Sequence, residues 1–532
     1  MFLTRLFRAR PVALTTALLL SLSLSVAAQA QTLRWSSQGD PQTLDPYSQN
    51  EGLTNMFNGQ IYDYLVARDK QLAIVPSLAT EWRQDSPTRW TFKLRRGVKF
   101  HDGRPFTADD VVFSMNRARD KNSQIAVYAT PLGDAKKIDD YTVEFDSTQF
   151  DPVFLQHLNT VFIMSKSWCE EHQVTRPQNF VAKEETWTAL HANGTGPYML
   201  VSRQPDVRSV LRRNPNYWGH IEGNVQEVVY TPIRNSATRV AALLSHELDF
   251  VLDPPTSDVE RLRATPGIQV VDGPENRILF IGMDQGRDEL LYSSVKGKNP
   301  FKDLRVRKAL YEAVDIELIR TRLMAGQSQP TGATVPSRAG SLDDPEVEKR
   351  LPFDLDGAKK LMAEAGYAAG FEVTLDCPNN RYLNDERLCL ALASMWAKIN
   401  VKVHVNSMPR TTYFPKIDKL DTSLYLLGWG GSITDPESIF TPIYRNRGPD
   451  GVGFYNYGNY KDDTLDALAA ASSREADPVK RAALIKQVFL RHNEQVHHIP
   501  LHRQVIPWAA RTGVTFVHRP DNWLEVRWVT VK

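Results

Sequence analysis

The sequence has almost no surplus charge, only three cysteines, and beyond its first 30 residues no apolar run of membrane-spanning length. Its 64 basic and 62 acidic side chains nearly cancel, and Arg5, Arg8 and Arg10 supply the excess: without residues 1–30 the formal charge falls from +2 to −1. A chain with no global field has nothing to steer it to nucleic acid or anionic lipid, so nucleic-acid binding is excluded as a function class. The 42% hydrophobic and 24% charged residues exclude a disordered or collagen-like chain. There is no tandem repeat, low-complexity tract or Pro- or Ser-rich linker. At roughly 150 residues per domain the length implies three to four compact units, which must therefore pack closely or interrupt one another.

Signatures of catalysis are also missing. No Gly-x-Ser-x-Gly, His-Glu-x-x-His, Gly-x-x-x-x-Gly-Lys or Gly-x-Gly-x-x-Gly occurs. No enzyme and no cofactor are expected, although two carboxylates could always meet in space, which keeps a periplasmic hydrolase as the alternative from a different class.

What is present starts with an address. Three arginines precede an uncharged run from Pro11 to Val26 and then Ala28-Gln29-Ala30, the small-x-small pattern of a cleaved signal peptide. Residues 1–30 are expected to be removed, giving a periplasmic protein. The first cysteine is Cys169, so no lipid attachment point follows the apolar run. Cys377 and Cys389 are expected to form a disulfide worth about 3 kcal/mol in the loop-entropy picture, leaving Cys169 as a buried free thiol. With no second Cys pair or flanking His, this spacing argues against zinc.

The periodicity reads as mixed α/β. Trp90, Phe92 and Leu94 alternate as a strand, a turn follows at His101-Asp102-Gly103, and Thr107 with Asp110 forms a capping box. A second organised block runs from Phe301 to Met324, with Asp303 as the expected N-cap of a helix and Val306, Ala309, Leu310, Ala313 and Val314 on one apolar stripe. Asp354 caps another helix, Phe371 to Leu375 is a strand, and Asp385 opens a helix burying Leu388, Leu392, Met395, Trp396 and Ile399. Val401 to Val405 and Ser423 to Trp429 are further strands. Strand, helix, strand in this order predicts a βαβ unit with a parallel sheet.

In such a unit a ligand lies beyond the carboxyl end of a strand. The loop Asn379 to Asp385, which contains Asn384, occupies that place, and its Arg381 could fork onto a carboxylate or pair with Asp385 or Glu386. The segment Gly428-Trp429-Gly430-Gly431 could present backbone and one aromatic to an extended ligand, or hold a core tryptophan beside a turn. His497, His498 and His502 cluster, but on a strand only His498 and His502 share a face, so no metal site is expected.

Thr43-Leu-Asp-Pro46, Ile61-Tyr-Asp-Tyr-Leu65, Pro76-Ser-Leu-Ala-Thr-Glu-Trp82 and above all the run from Trp90 to Ser114 resemble the family 5 extracellular solute-binding proteins of peptide, opine and nickel ABC importers. Gly194 to Tyr198, Asn214 to Trp218, Asn299 to Leu310, Gly428-Trp429 and Ile499 to Leu501 follow in the family's order. The resemblance implies a cluster C periplasmic binding protein of α/β class, with two lobes made of three discontinuous domains and joined by a hinge. Lobe 1 would comprise residues 31–280 and 501–532, with a second domain inserted at about 64–195; lobe 2 would comprise 281–500. It further implies a monomer that captures a small peptide or related solute by hinge closure and passes it to an ABC permease and ATPase complex in the inner membrane.

By the same resemblance Trp429 and Arg381 match the family's tryptophan and carboxylate-binding arginine, while Ser432 stands where peptide carriers have the aspartate that holds an ammonium. A hydroxyl cannot neutralise that charge in an enclosed cleft, which favours a modified peptide, an opine-like compound or a sugar derivative. Asp435 follows in an Asp-Pro turn. Asn50 and Glu51, in a loop that faces the cleft in this family, are weaker candidates; Glu51 could replace the missing anion or cap a helix. A nickel-type metal-chelate carrier remains the alternative within the family.

Overall fold

The computed structural model describes residues 31–337, 342–431, 433–449 and 451–532. The expected signal peptide and Ser432 lie outside them. The chain runs through β1 (Thr32–Ser36), α1 (Gly52–Asn58), β2 (Ala79–Ser86), β3 (Arg89–Leu94), α2 (Ala108–Ala118), β4 (Asp134–Asp139), β5 (Thr142–Asp146), β6 (Tyr198–Gln204), β7 (Arg208–Arg213), β8 (Glu227–Tyr230) and β9 (Phe250–Val251). It continues through β10 (Ile268–Met283), α3 (Leu304–Glu312), β11 (Ser328–Pro330), α4 (Leu355–Glu364), β12 (Phe371–Pro378), α5 (Asp385–Trp396), β13 (Val401–Met408), α6 (Arg410–Ile417), β14 (Leu424–Gly430), α7 (Pro478–Gln495) and β15 (His498–Arg511).

A mixed 11-stranded sheet ties the two lobes together in the order β13-β12-β14-β10-β15-β9-β1-β8-β7-β6, with β11 added onto β15. β12 pairs in parallel with both β13 and β14 across the βαβ crossover through α5, as the alternation of apolar residues predicts. At the other end β1 lies parallel between β8 and β9. The long antiparallel strands β10 and β15 belong to both ends, and their register is interrupted between Pro274 and Ile278. The positions 280/281 and 500/501, taken from sequence as lobe boundaries, therefore fall inside continuous strands. An alternating pattern locates a strand but not the point at which it passes from one lobe to the next.

A separate antiparallel sheet, β2-β3-β5-β4, lies in the segment expected to be inserted. There Phe92 and Phe145 are buried and Trp90 stacks on Phe154 at 5.0 Å. The Thr107–Asp110 capping box opens α2, Asp303 caps α3 and Asp354 caps α4. Within the block from 301 to 324, α3 ends at Glu312, just before the last two members of the apolar stripe, and a second short turn, capped by Asp315, begins at Ile316. Cys377, in β12, is bonded to Cys389, in α5, and Cys169 is free and buried. The bond fastens the end of β12 to the helix that follows and so fixes both ends of the loop holding Arg381.

Candidate ligand-binding site

The largest clustering of sequence-selected residues lies where the segment leading into α1 meets the carboxyl ends of β12, β13 and β14. Asn50, Glu51, Arg381, Trp429 and Gly430 line one cavity there. A smaller neighbouring cavity shares Gly52, Arg277, Arg381 and Tyr382 with it.

Glu51 holds the N-terminal turn of α1: its carboxylate accepts from Leu53 N at 3.3 Å and from Thr54 N and Oγ1 at 3.0 Å. Two arginines from the segments that follow β12 and β13 reach the same carboxylate, Arg381 Nε at 2.8 Å and Arg410 Nη1 at 3.0 Å. Burial alone would raise the Glu51 pKa, but these guanidinium groups and the N–H donors of α1 overcome it and hold it at about 2. Glu51 is thus both helix cap and ion-pair partner, and its lone pairs are occupied.

Arg381 pairs with neither Asp385 nor Glu386 through its side chain. Asp385 instead accepts from the backbone N–H groups of Arg381 and Tyr382 at 2.8 and 3.0 Å, which folds the loop tightly over the start of α5. The Arg381 guanidinium lies over the Tyr382 ring, 4.9 Å from its centroid. Arg277 also lines the cavity, bound through Nε to Glu275 at 2.7 Å. One side of the cavity is consequently rich in guanidinium groups.

β14 delivers the tryptophan and the exposed backbone. Gly428 N donates to Tyr382 Oη at 2.8 Å, and a Cβ on Gly428 would stand 2.5 Å from that ring. A Cβ on Gly430 would stand 2.0 Å from Asn276 O, so both positions require glycine for close approach. Trp429 donates from Nε1 to Ser438 O at 2.6 Å and contacts Tyr455 with ring centroids 4.8 Å apart. It is both a packed residue and a wall of the cavity, so the two sequence readings of this segment hold together.

Two selected residues lie elsewhere. Asn384 is directed away from the cavity and donates to Thr256 Oγ1 at 2.8 Å and Leu323 O at 3.2 Å. Asp435 forms a two-pronged pair with Arg481 at 2.7 and 2.9 Å. Of the histidines, His498 faces His492 at 2.9 Å and His497 sits between Gln285 and Asp462. Burial pushes His498 and His502 down to about 3. None of these rings lines the cavity, and among the described residues no group of three or more His, Cys, Asp and Glu is arranged to hold a metal ion.

Sequence reasoning missed Arg277, Arg410, Tyr382, Asp418 and the tyrosines 455 and 457. Arg410 had a usable signal: it follows the end of β13 as Arg381 follows the end of β12, and the strand-end rule applied twice selects both. Asp418 and the tyrosines come from loops whose convergence no local pattern records.

The model of the family described as bacterial extracellular solute-binding proteins, family 5 Middle, matches residues 73–451. Di/tripeptide-binding protein 3 of Pseudomonas aeruginosa (strain UCBPP-PA14) is 28% identical over 500 residues, covering 89% of each chain. Among solved structures, the periplasmic binding protein DppA from Helicobacter pylori in complex with peptide STSA superposes with a TM-score of 0.83 at 23% identity, over 95% of this chain and 100% of that one. AgaA of A. tumefaciens R10 in complex with agropinic acid gives a TM-score of 0.82 at 21% identity, over 94% and 99%. These two likenesses concern the fold.

Proposed function

The chain belongs to the family 5 bacterial extracellular solute-binding proteins, and from that membership we propose that it is the periplasmic substrate-binding component of an ABC importer for small peptides or peptide-like solutes. The observation that supports this best is the cavity between the lobes, lined from one lobe by Asn50, Glu51 and Tyr128 and from the other by Arg381, Trp429 and Gly430. A solute that touches both walls stabilises only the closed form, which is the condition for ligand-driven closure. The interrupted register between β10 and β15 at residues 274–278 is the natural hinge. Residues 31–280 with 501–532, and 281–500, are the proposed moving bodies, apart from the strands that run through both.

Recognition follows from the lining. Guanidinium groups of Arg381 and Arg277 suit a carboxylate, the Gly428–Gly431 backbone suits an extended main chain, and Trp429 provides an apolar wall. No bond is made or broken; the closed protein is read by a membrane permease and its ATPase, and the carrier acts as a monomer delivered by a cleaved signal peptide. An opine-like anion is the second reading, favoured by the guanidinium-rich wall. Titration of the mature chain with tripeptides, dipeptides and opine acids, read by the rise in melting temperature, tests this: a peptide should raise it by several degrees. If only opine acids do so, the second reading replaces the first, and hydrolysis of any peptide during the titration would overturn both.

A further inference from the structure

Glu51 and Asp418 are the acidic residues in the cavity lining, and they are placed very differently. Glu51 is neutralised by Arg381 and Arg410. Asp418 is 8% exposed, and among the described residues no Lys, Arg or His forms an ion pair with it. Its partners are neutral: Oδ1 accepts from the Tyr457 hydroxyl and Oδ2 accepts from Gln124 Nε2 at 3.2 Å. Asp418 also closes the C-terminal end of α6, where its N–H donates to Phe414 O. That end carries the negative pole of the helix, which adds to the carboxylate rather than opposing it. Around it stand the rings of Tyr455 and Tyr457, 5.9 Å apart, with Trp429 packed on Tyr455.

A buried carboxylate with no ion-paired partner among the described residues, at a helix C-terminus and beside aromatic faces, is an arrangement that binds a cation. We propose, on the reading of the chain as a carrier of peptide-like solutes, that Asp418 is the anchor for an ammonium group of the ligand, opposite the guanidinium wall that takes its carboxylate. The anchor is thus supplied by the loop before β14 and not by position 432 beyond it. The ligand class is a zwitterion with a free amine.

Burial pushes Asp418 up to about 7, with Tyr457, Gln124 and more distantly Arg447 pulling the other way. Tyr455 also faces it, while Lys419 and Arg447 line a neighbouring surface cavity on the other side of Gln124, and Arg447 donates to the Gly453 and Phe454 carbonyls. An ammonium requires the ionised form, so binding should strengthen as pH rises through 7 and be accompanied by proton release.

The test is calorimetric titration of the mature chain and of Asp418→Asn with Ala-Ala-Ala and N-acetyl-Ala-Ala-Ala, and with putrescine and N-acetylputrescine as amines that are not peptides. The wild type should prefer the free amine by about 100-fold, Asp418→Asn should lose that preference, and wild-type affinity should rise about 20-fold from pH 5.5 to 7.5. If no peptide binds but putrescine does and depends on Asp418, the peptide reading fails and this assignment stands. Equal preference in both proteins, or no binding of any amine, overturns the assignment. Should Asp418→Asn fail to fold, the pH series on the wild type decides, and a flat profile overturns it.

Discussion

Glu51 and Arg381 meet at 2.8 Å in the wall of the cavity, one residue capping the first helix and the other held in the loop between β12 and α5. Arg410 joins the same carboxylate at 3.0 Å. The segment leading into α1 is therefore tied to the loops after β12 and β13 by a buried ion cluster, and a solute carboxylate would have to share Arg381 with Glu51.

Removing the anion should hurt more than removing either cation. Glu51→Gln leaves two guanidinium groups buried without a counter-charge and should cost about 3–5 kcal/mol, read from denaturant unfolding. The sign of the pH effect is fixed by the depressed pKa. With Glu51 at about 2 when folded and near its ordinary 4.5 when unfolded, its contribution is present above pH 4.5 and is lost as pH falls toward 2. That loss should amount to about 3 kcal/mol and should be absent in Glu51→Gln.

His502 should govern a different part of the acid limb. Its ring is buried, neither nitrogen has a hydrogen-bond partner among the described residues, and burial holds it at about 3 against an ordinary 6.5. Below pH 6.5 the unfolded chain takes up the proton first, so this ring lowers stability by roughly 1.4 kcal/mol per pH unit until about pH 3. His502→Leu should flatten the stability profile between pH 6 and 4 by that slope.

The Cys377–Cys389 bond closes a short loop, and replacing both cysteines by serine should cost about 3 kcal/mol. Because the loop holds Arg381, the double variant should also bind ligand more weakly at temperatures where it is still folded. Equal melting temperatures with and without reductant would show that the bond is not formed in solution.

Trp429→Phe and Trp429→Ala should separate packing from recognition. Phenylalanine keeps a ring against Tyr455 but loses the bond to Ser438 O, at a cost of about 1 kcal/mol. Alanine opens the cavity wall and should cost about 3–5 kcal/mol in stability. It should also weaken ligand affinity at least about tenfold, measured by titration.

The sequence disclosed this site unevenly, for physical reasons. The βαβ order, the caps Asp303 and Asp354, and the glycines around Trp429 are local patterns, and local patterns survive in one dimension. Arg381 was found because the strand-end rule points to a place rather than a partner. That its partner is Glu51 depends on a contact across the lobes, which periodicity does not record. Asn384 and Asp435 have the right chemistry and neighbourhood, yet one turns to Thr256 and the other to Arg481. Side-chain direction at a loop is decided by whatever packs against it.

The most direct measurement is native mass spectrometry of the protein purified gently from periplasm, followed by denaturing release of its cargo. The account expects one solute per chain, a short peptide or related zwitterion with a free amine and a free carboxylate, released intact. A chain that carries no solute and shows no shift in melting temperature with any peptide would contradict it.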